Sequence, residues 1–133
     1  MNTQIFPRGD RLPEGMFTGA AYMHPLEDND LLNAGAVTFE PGARNNWHAH
    51  PVAQLLVVTA GEALYKEEGK PAVRVRAGES AYTPAGVRHW HGAVPDAEMT
   101  HVAVTLKGPD GPVEWSRPVT DEAVSYTHLT LPT

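Results

Sequence analysis

Glycine and proline set the limits on what this chain can fold into. There are twelve of each among 133 residues, and between these breaks no stretch sustains a helical apolar period. The one exception is a short turn near Thr120 to Tyr126. The remaining pieces read as strands. Ala34 to Glu40 ends at the turn pair Pro41-Gly42, and Gln54 to Ala60 is nearly all apolar, as in a strand covered on both faces. Gly61-Glu62 starts a hairpin back through Lys66. Pro71 to Arg76 alternates apolar and basic residues, which predicts one wet side. Ser80 to Thr83 follows the Ala77-Gly78-Glu79 turn, and Glu98 to Leu106 is the last long strand. Many short strands at close spacing predict an all-β sandwich or closed barrel, and the length suits one domain.

The charge pattern narrows the partners. Net charge is −6, with acidic and basic residues interspersed, which argues against a nucleic-acid backbone or an anionic membrane as the main partner. With no cysteine there is no disulfide framework and no thiolate metal site. Met1 to Arg8 lacks an apolar leader segment and no run reaches transmembrane length, so a cytoplasmic location is expected. Ser125 to Thr133 resembles a translated sequencing-adaptor tail; it is read as non-native, and His128 is given no weight. The expected organisation is an N-terminal arm over 1–16, a barrel over 17–124 and this tail over 125–133.

The chemistry concentrates in the histidines. Five of the seven fall between residues 48 and 101. His48, His50 and Gln54 are separated by even offsets, which on an extended segment share one face. His89 and His91 share a face of another strand, offering a third imidazole and a spare, and His101 can face inward from the next. Neutral imidazole is the commonest metal-binding side chain, and imidazoles buried in a barrel interior need a metal or a substrate to satisfy them. Nitrogen and amide-oxygen donors suit manganese, iron, nickel, cobalt or zinc. Trp47 and Trp90 point to the opposite face and read as core packing or dimer contacts. Arg44 and Arg88 read as solvated, His24 as a loop residue, and Lys66 to Lys70 as a hairpin tip.

Gly42-x5-His48-x-His50-x3-Gln54-x6-Gly61 and Gly78-x5-Pro84-x-Gly86-x2-His89 resemble the two signatures of the cupin family, with every spacing kept. The resemblance implies a small jelly-roll β-barrel with at most a short C-terminal helix. It also implies a homodimer or higher homo-oligomer, and a metal held by His48, His50, Gln54 and His89. Two positions depart from the pattern. Glutamine replaces the usual glutamate at Gln54, and the asparagine near the end of the second signature is absent. Three imidazoles and an amide leave a divalent cation's charge uncompensated, so such a centre favours anionic ligands and acts as a Lewis acid.

A closer likeness runs from about residue 17 to residue 124. Val37 to Arg44, Trp47 to Pro51, Val58 to Gly61, His89 to Ala93, Met99 to His101 and Trp115 through Glu122 are similar to bacterial cupin hydroxynitrile lyases. In that group the metal is manganese and glutamine stands where it does here. The likeness implies a metal-dependent lyase that makes or cleaves small cyanohydrins, with Mn(II) preferred over Fe(II), Ni(II), Co(II) or Zn(II). A pocket histidine of near-neutral pKa would act as acid and base, His91 first and His101 second. Val37 and Thr105 would line the substrate pocket, Thr105 replacing an expected glutamine. Two alternatives stand beside it: a metal-dependent dioxygenase, and a non-catalytic barrel that binds a small molecule.

Overall fold

The computed structural model describes residues 5–108, 114–115, 117–121 and 123–124. Its strands are β1 (Asp10–Arg11), β2 (Phe17–Thr18), β3 (Ala21–Asp28), β4 (Leu32–Phe39), β5 (Arg44–Asn45) and β6 (His48–Ala49). They continue with β7 (Gln54–Ala60), β8 (Glu62–Glu67), β9 (Val73–Arg76), β10 (Ser80–Thr83), β11 (His89–Ala93), β12 (Met99–Leu106) and β13 (Glu114–Trp115). The architecture is the expected all-β jelly roll of two antiparallel sheets. One sheet runs β1-β3-β4-β12-β7-β10; the other runs β13-β6-β11-β5-β2, with β8 added on β11 and β9 on β8. A single helical turn, closed by Val124 N–H donating to the Thr120 carbonyl at 3.2 Å, is the helical element among the described residues. No helix among them is long and apolar enough to cross a membrane. The segment from Ser125 to Thr133 lies outside the described residues.

β4, β7, β8, β9, β10 and β12 lie where the sequence placed strands, and the turns explain why, whereas the eight-residue β3 was not anticipated. Gly61 turns β7 into β8 with φ +77°, and a Cβ there would lie 2.1 Å from the Glu98 carbonyl oxygen, so only glycine fits. The interior between the sheets is filled by Phe39, Leu56, Val58, Tyr65, Val75 and Met99. On this inner side Phe39 also meets two imidazole rings, His101 at 5.3 Å and His91 at 6.0 Å between centroids.

A second apolar cluster lies on the outer side of the second sheet. Leu64, Trp90, Val94, Val119 and Val124 pack there with Trp47 against them. Trp90 is therefore packing, as expected from its position between two inward histidines. Arg44 is not solvated as expected: it is buried and ties the C-terminal segment to this face. Its guanidinium donates to the Val119 carbonyl from Nε (3.0 Å) and Nη2 (2.9 Å) and to the Gly42 carbonyl (3.0 Å). These carbonyls satisfy the buried charge. The added ion pair with Asp121 is a minor contribution, because that carboxylate is almost fully exposed.

Three smaller expectations change. β7 is covered on one face only, since Leu55 is 38% exposed. His24 lies within β3 rather than in a loop. Arg88 is only partly exposed, with Nε 4.0 Å from Glu68.

Candidate functional site

Strand pairing brings the two histidine-bearing signatures together. His48 and His89 are direct partners across β6 and β11, and Gly86 N–H donates to the His50 carbonyl at 2.7 Å. One ring nitrogen from each of His48, His50 and His89 lies within 4.8 Å of the others, and all three are buried. Their ring centroids are 4.2 to 5.1 Å apart. Gln54 also reaches this region, by a route that strand parity did not anticipate. The chain turns at residues 51–53, so His48 belongs to one sheet and Gln54 opens β7 in the other. Gln54 lines one cavity with His48 and His50 because the chain crosses the interior, not because they share a strand face.

Hydrogen bonds fix which atoms face inward. His48 Nδ1–H donates to the Asn46 carbonyl (2.8 Å) and His89 Nδ1–H to the Val87 carbonyl (2.9 Å). That tautomer leaves Nε2 of each ring as the lone-pair nitrogen. Thr105, opposite Gln54 in the β12–β7 ladder, accepts from Gln54 Nε2 at 2.9 Å and so turns Oε1 the other way. Among the described residues, Gln54 Oε1, His50 Nδ1 and His89 Nε2 are buried without a hydrogen-bond partner. Each such atom costs about 1–3 kcal/mol unless something satisfies it. The donor set fits a divalent cation held by three neutral imidazoles.

The electrostatics of the cluster favour the same neutral form. Burial, reinforced by the His89 charge, pushes His48 down to about 3 and His50 down to about 4. Burial also lowers His89, against opposing effects of the Val87 carbonyl and the Glu67 carboxylate. All three are neutral at pH 7, the form a metal requires.

Beside this cluster lies a second histidine group. His91 Nδ1 and His101 Nε2 are 3.1 Å apart, bridging β11 and β12. Asn45 holds His91 from the other side. Its Oδ1 accepts the His91 backbone N–H at 2.9 Å, so its Nδ2 faces the imidazole, 3.1 Å from Nε2 and 3.3 Å from Nδ1. Sequence parity gave no signal for Asn45, which sits on its own two-residue strand β5. Burial drives His91 well below 6.5, aided by His101, His48, His89 and His50 in turn, and brings His101 down to about 4. The near-neutral value expected for a pocket histidine is therefore not found in either ring, and both are held neutral at pH 7.

His48 and His50 of the first group and both histidines of the second face one cavity of about 350 Å³. Leu12, Phe17, Val37, Phe39 and Ala103 form its apolar side, and Asn33, Asn45, His48, His50, Gln54, His91, His101 and Thr105 its polar side. Val37 and Thr105, the two positions singled out for a substrate pocket, both line this cavity. Such a chamber suits a small, partly apolar molecule with one polar end directed at the histidines.

Known proteins resemble this chain in sequence and fold. The Cupin domain family matches residues 35–105. An (R)-mandelonitrile lyase from Granulicella tundricola is 41% identical over 113 residues, covering 83% of this chain and 86% of that protein. The crystal structure of a cupin-like protein from Thermotoga maritima superposes with a TM-score of 0.90 at 38% identity, covering 93% of this chain and 96% of that one. A DMSP lyase from Ruegeria pomeroyi shares the fold at TM-score 0.64 and 22% identity, over 89% of this chain and 62% of its own. Two paired signatures, three clustered imidazoles between two sheets and a family match from β4 to β12 have one common account: the chain belongs to the cupin family.

Proposed function

We propose that this protein is a hydroxynitrile lyase acting on small aromatic cyanohydrins, with manganese bound by His48, His50, Gln54 and His89. The observation that carries this reading is the 41% identity to a mandelonitrile lyase across most of both chains. A cavity with an apolar wall facing an imidazole pair supports it. A bound divalent cation would supply Lewis acidity to the substrate oxygen or to cyanide.

The remaining work falls to the chain's own groups. Cleavage moves the hydroxyl proton to a histidine nitrogen, forms the carbonyl, and breaks the bond to the nitrile carbon with its electron pair leaving on cyanide. The histidine then returns the proton to give hydrogen cyanide. His91 and His101 share one hydrogen bond, so the pair acts as a unit in this transfer, with His91 held in place by Asn45. Neutral at pH 7, the pair begins in the basic form. An anion developing beside it would raise its proton affinity as the reaction proceeds. Leu12, Phe17 and Val37 would cover the aromatic ring and Thr105 would keep the Gln54 amide oriented.

The test is mandelonitrile cleavage, followed by benzaldehyde release, using manganese-loaded, chelator-treated and His48→Ala protein. Activity in the loaded protein alone is expected, with the same rate under nitrogen as in air. An inactive loaded protein, or an unaffected His48→Ala, rejects the reading; a strict need for oxygen would point to a dioxygenase instead.

Self-association as a homodimer belongs to the same proposal. Tyr82, Leu55 and Val104 are consecutive cross-strand partners on the outer side of the first sheet, where Tyr82 and Leu55 stay exposed. Light scattering on the purified protein would give the subunit number, and a monomer at micromolar concentration would reject it.

A further inference from the structure

The donor set His48, His50, His89 and Gln54 carries no negative charge, yet a carboxylate lies just behind it. Glu67 ends β8 and is the direct cross-strand partner of His89 on β11. Directly opposed residues in an antiparallel ladder project from the same face, so the carboxylate lies on the barrel side with the imidazole. Its side chain is only 12% exposed. The turn that follows hides this: from sequence, residues 66–70 read as a hairpin tip alone.

Glu67 is held there by a buried chain of hydroxyls. Tyr65 O–H donates to Glu67 Oε2 at 2.7 Å, and Thr83 Oγ1 lies 2.7 Å from the same phenol oxygen. With the phenol proton committed to the carboxylate, Thr83 donates to Tyr65. Thr83 is completely buried and Tyr65 nearly so. The Tyr65 ring also lies 5.8 Å from the His89 ring, which joins the hydroxyl chain to the metal cluster. Lys70 approaches Glu67 Oε1 at 3.2 Å from outside, but it is 72% exposed and its charge is screened. The Tyr65 hydroxyl, ahead of Lys70, holds the Glu67 carboxyl below the usual carboxylate range, and burial pushes the Tyr65 phenol up. The negative charge therefore resides on Glu67.

We propose that Glu67, fixed by Tyr65 and Thr83, is the carboxylate that offsets the charge of the cation in the His48–His50–His89 centre from outside the ligand set. This inference rests on the metal reading above. It assigns to a neighbouring strand the charge that the first signature forgoes at Gln54. His89 Nδ1 is already bonded to the Val87 carbonyl, so Glu67 acts through space and not by orienting the ring.

The test is manganese affinity, measured by competition with a fluorescent chelator and needing no turnover. Glu67→Gln is the informative variant, because its amide oxygen still accepts from Tyr65 and only the charge is lost. A roughly tenfold weaker affinity is expected, at the lower end for outer partners of metal ligands, with unchanged thermal unfolding of the metal-free protein. Glu68→Gln makes the same change in net charge at a 61% exposed side chain and is expected to bind as the wild type does. Glu67→Asp should recover most of the loss. Should Glu67→Gln fail to fold, Tyr65→Phe decides: it keeps the ring and releases the carboxylate, for an expected loss of about threefold. Equal affinity in wild type and Glu67→Gln, or an equal loss in Glu68→Gln, overturns this inference alone. Failure of the wild type to bind manganese overturns the metal centre and this inference with it.

Discussion

Five imidazoles share one interior, yet they form two groups that differ in what holds the second ring nitrogen. In the cluster, His48 and His89 give Nδ1–H to backbone carbonyls two residues upstream, which fixes each ring and presents Nε2. In the pair, His91 and His101 bond to each other, and an asparagine amide faces the first of them. A nitrogen tied to a carbonyl has its proton settled, so its partner nitrogen is a permanent lone pair suited to a metal. A nitrogen shared between two imidazoles has a proton that can sit on either ring, which suits proton transfer. On the proposed function, neighbours divide identical side chains between two tasks.

Removing one member of each group tests whether the two are independent. His48→Ala is expected to lose manganese affinity by more than the roughly 100-fold limit seen for outer partners, and with it measurable cyanohydrin cleavage. His101→Phe fills a similar space and is expected to keep manganese affinity while cleavage falls by about 10² to 10⁴, the usual range for a lost acid or base. Metal titration and initial rates on the two variants check both. If His101→Phe also releases manganese, the two groups are one.

Acid acts on both groups in the same direction, and His101 gives the pair's share of the effect. Burial lowers His101 from 6.5 to about 4 in the folded protein. Between those values the unfolded chain binds more protons than the folded one, so stability rises with pH across this window. Equivalently, stability is lost as pH falls from about 6.5 and levels off below about 4. For His101 alone this amounts to about 3 kcal/mol. Urea unfolding of metal-free His101→Phe at pH 7 and pH 4.5 is therefore expected to show a smaller acid loss than wild type. An identical loss in both would mean that His101 is not buried neutral.

The sequence revealed the fold and the cluster for related reasons. Strand boundaries at β7 and β10 follow from an apolar run and from glycine turns, which are local properties. The spacing of the two signatures marked His48, His50 and His89, which the fold brings together. Parity supplied a wrong reason for Gln54, because the turn at 51–53 moves it to the other sheet. Arg44, Asn45 and Glu67 were misread or missed on different grounds. Their roles depend on Val119, His91 and His89, partners 22 to 75 positions away that only strand register or a returning chain end brings close. Local pattern predicts which face a residue takes, but not what waits across from it.

Asn45 gives the smallest expected effect and the finest test of the division. Its Oδ1 is engaged by the His91 backbone N–H, which leaves Nδ2 no choice but to face the ring. A donor on that side favours the His91 tautomer whose lone pair points at Asn45, and the ring proton then lies toward His101. Asn45→Ala removes this bias and leaves a buried N–H without its acceptor, so a tenfold drop in kcat/KM, equivalent to about 1.4 kcal/mol, is expected. Manganese affinity should stay within about twofold, because Asn45 bonds to no member of the cluster. Nitrogen-15 spectra of the histidine rings in metal-free protein would show the His91 and His101 signals move while those of His48 and His89, anchored to carbonyls, stay. Movement of all of them would mean that β5 positions both groups together, and the separation drawn between them would fail.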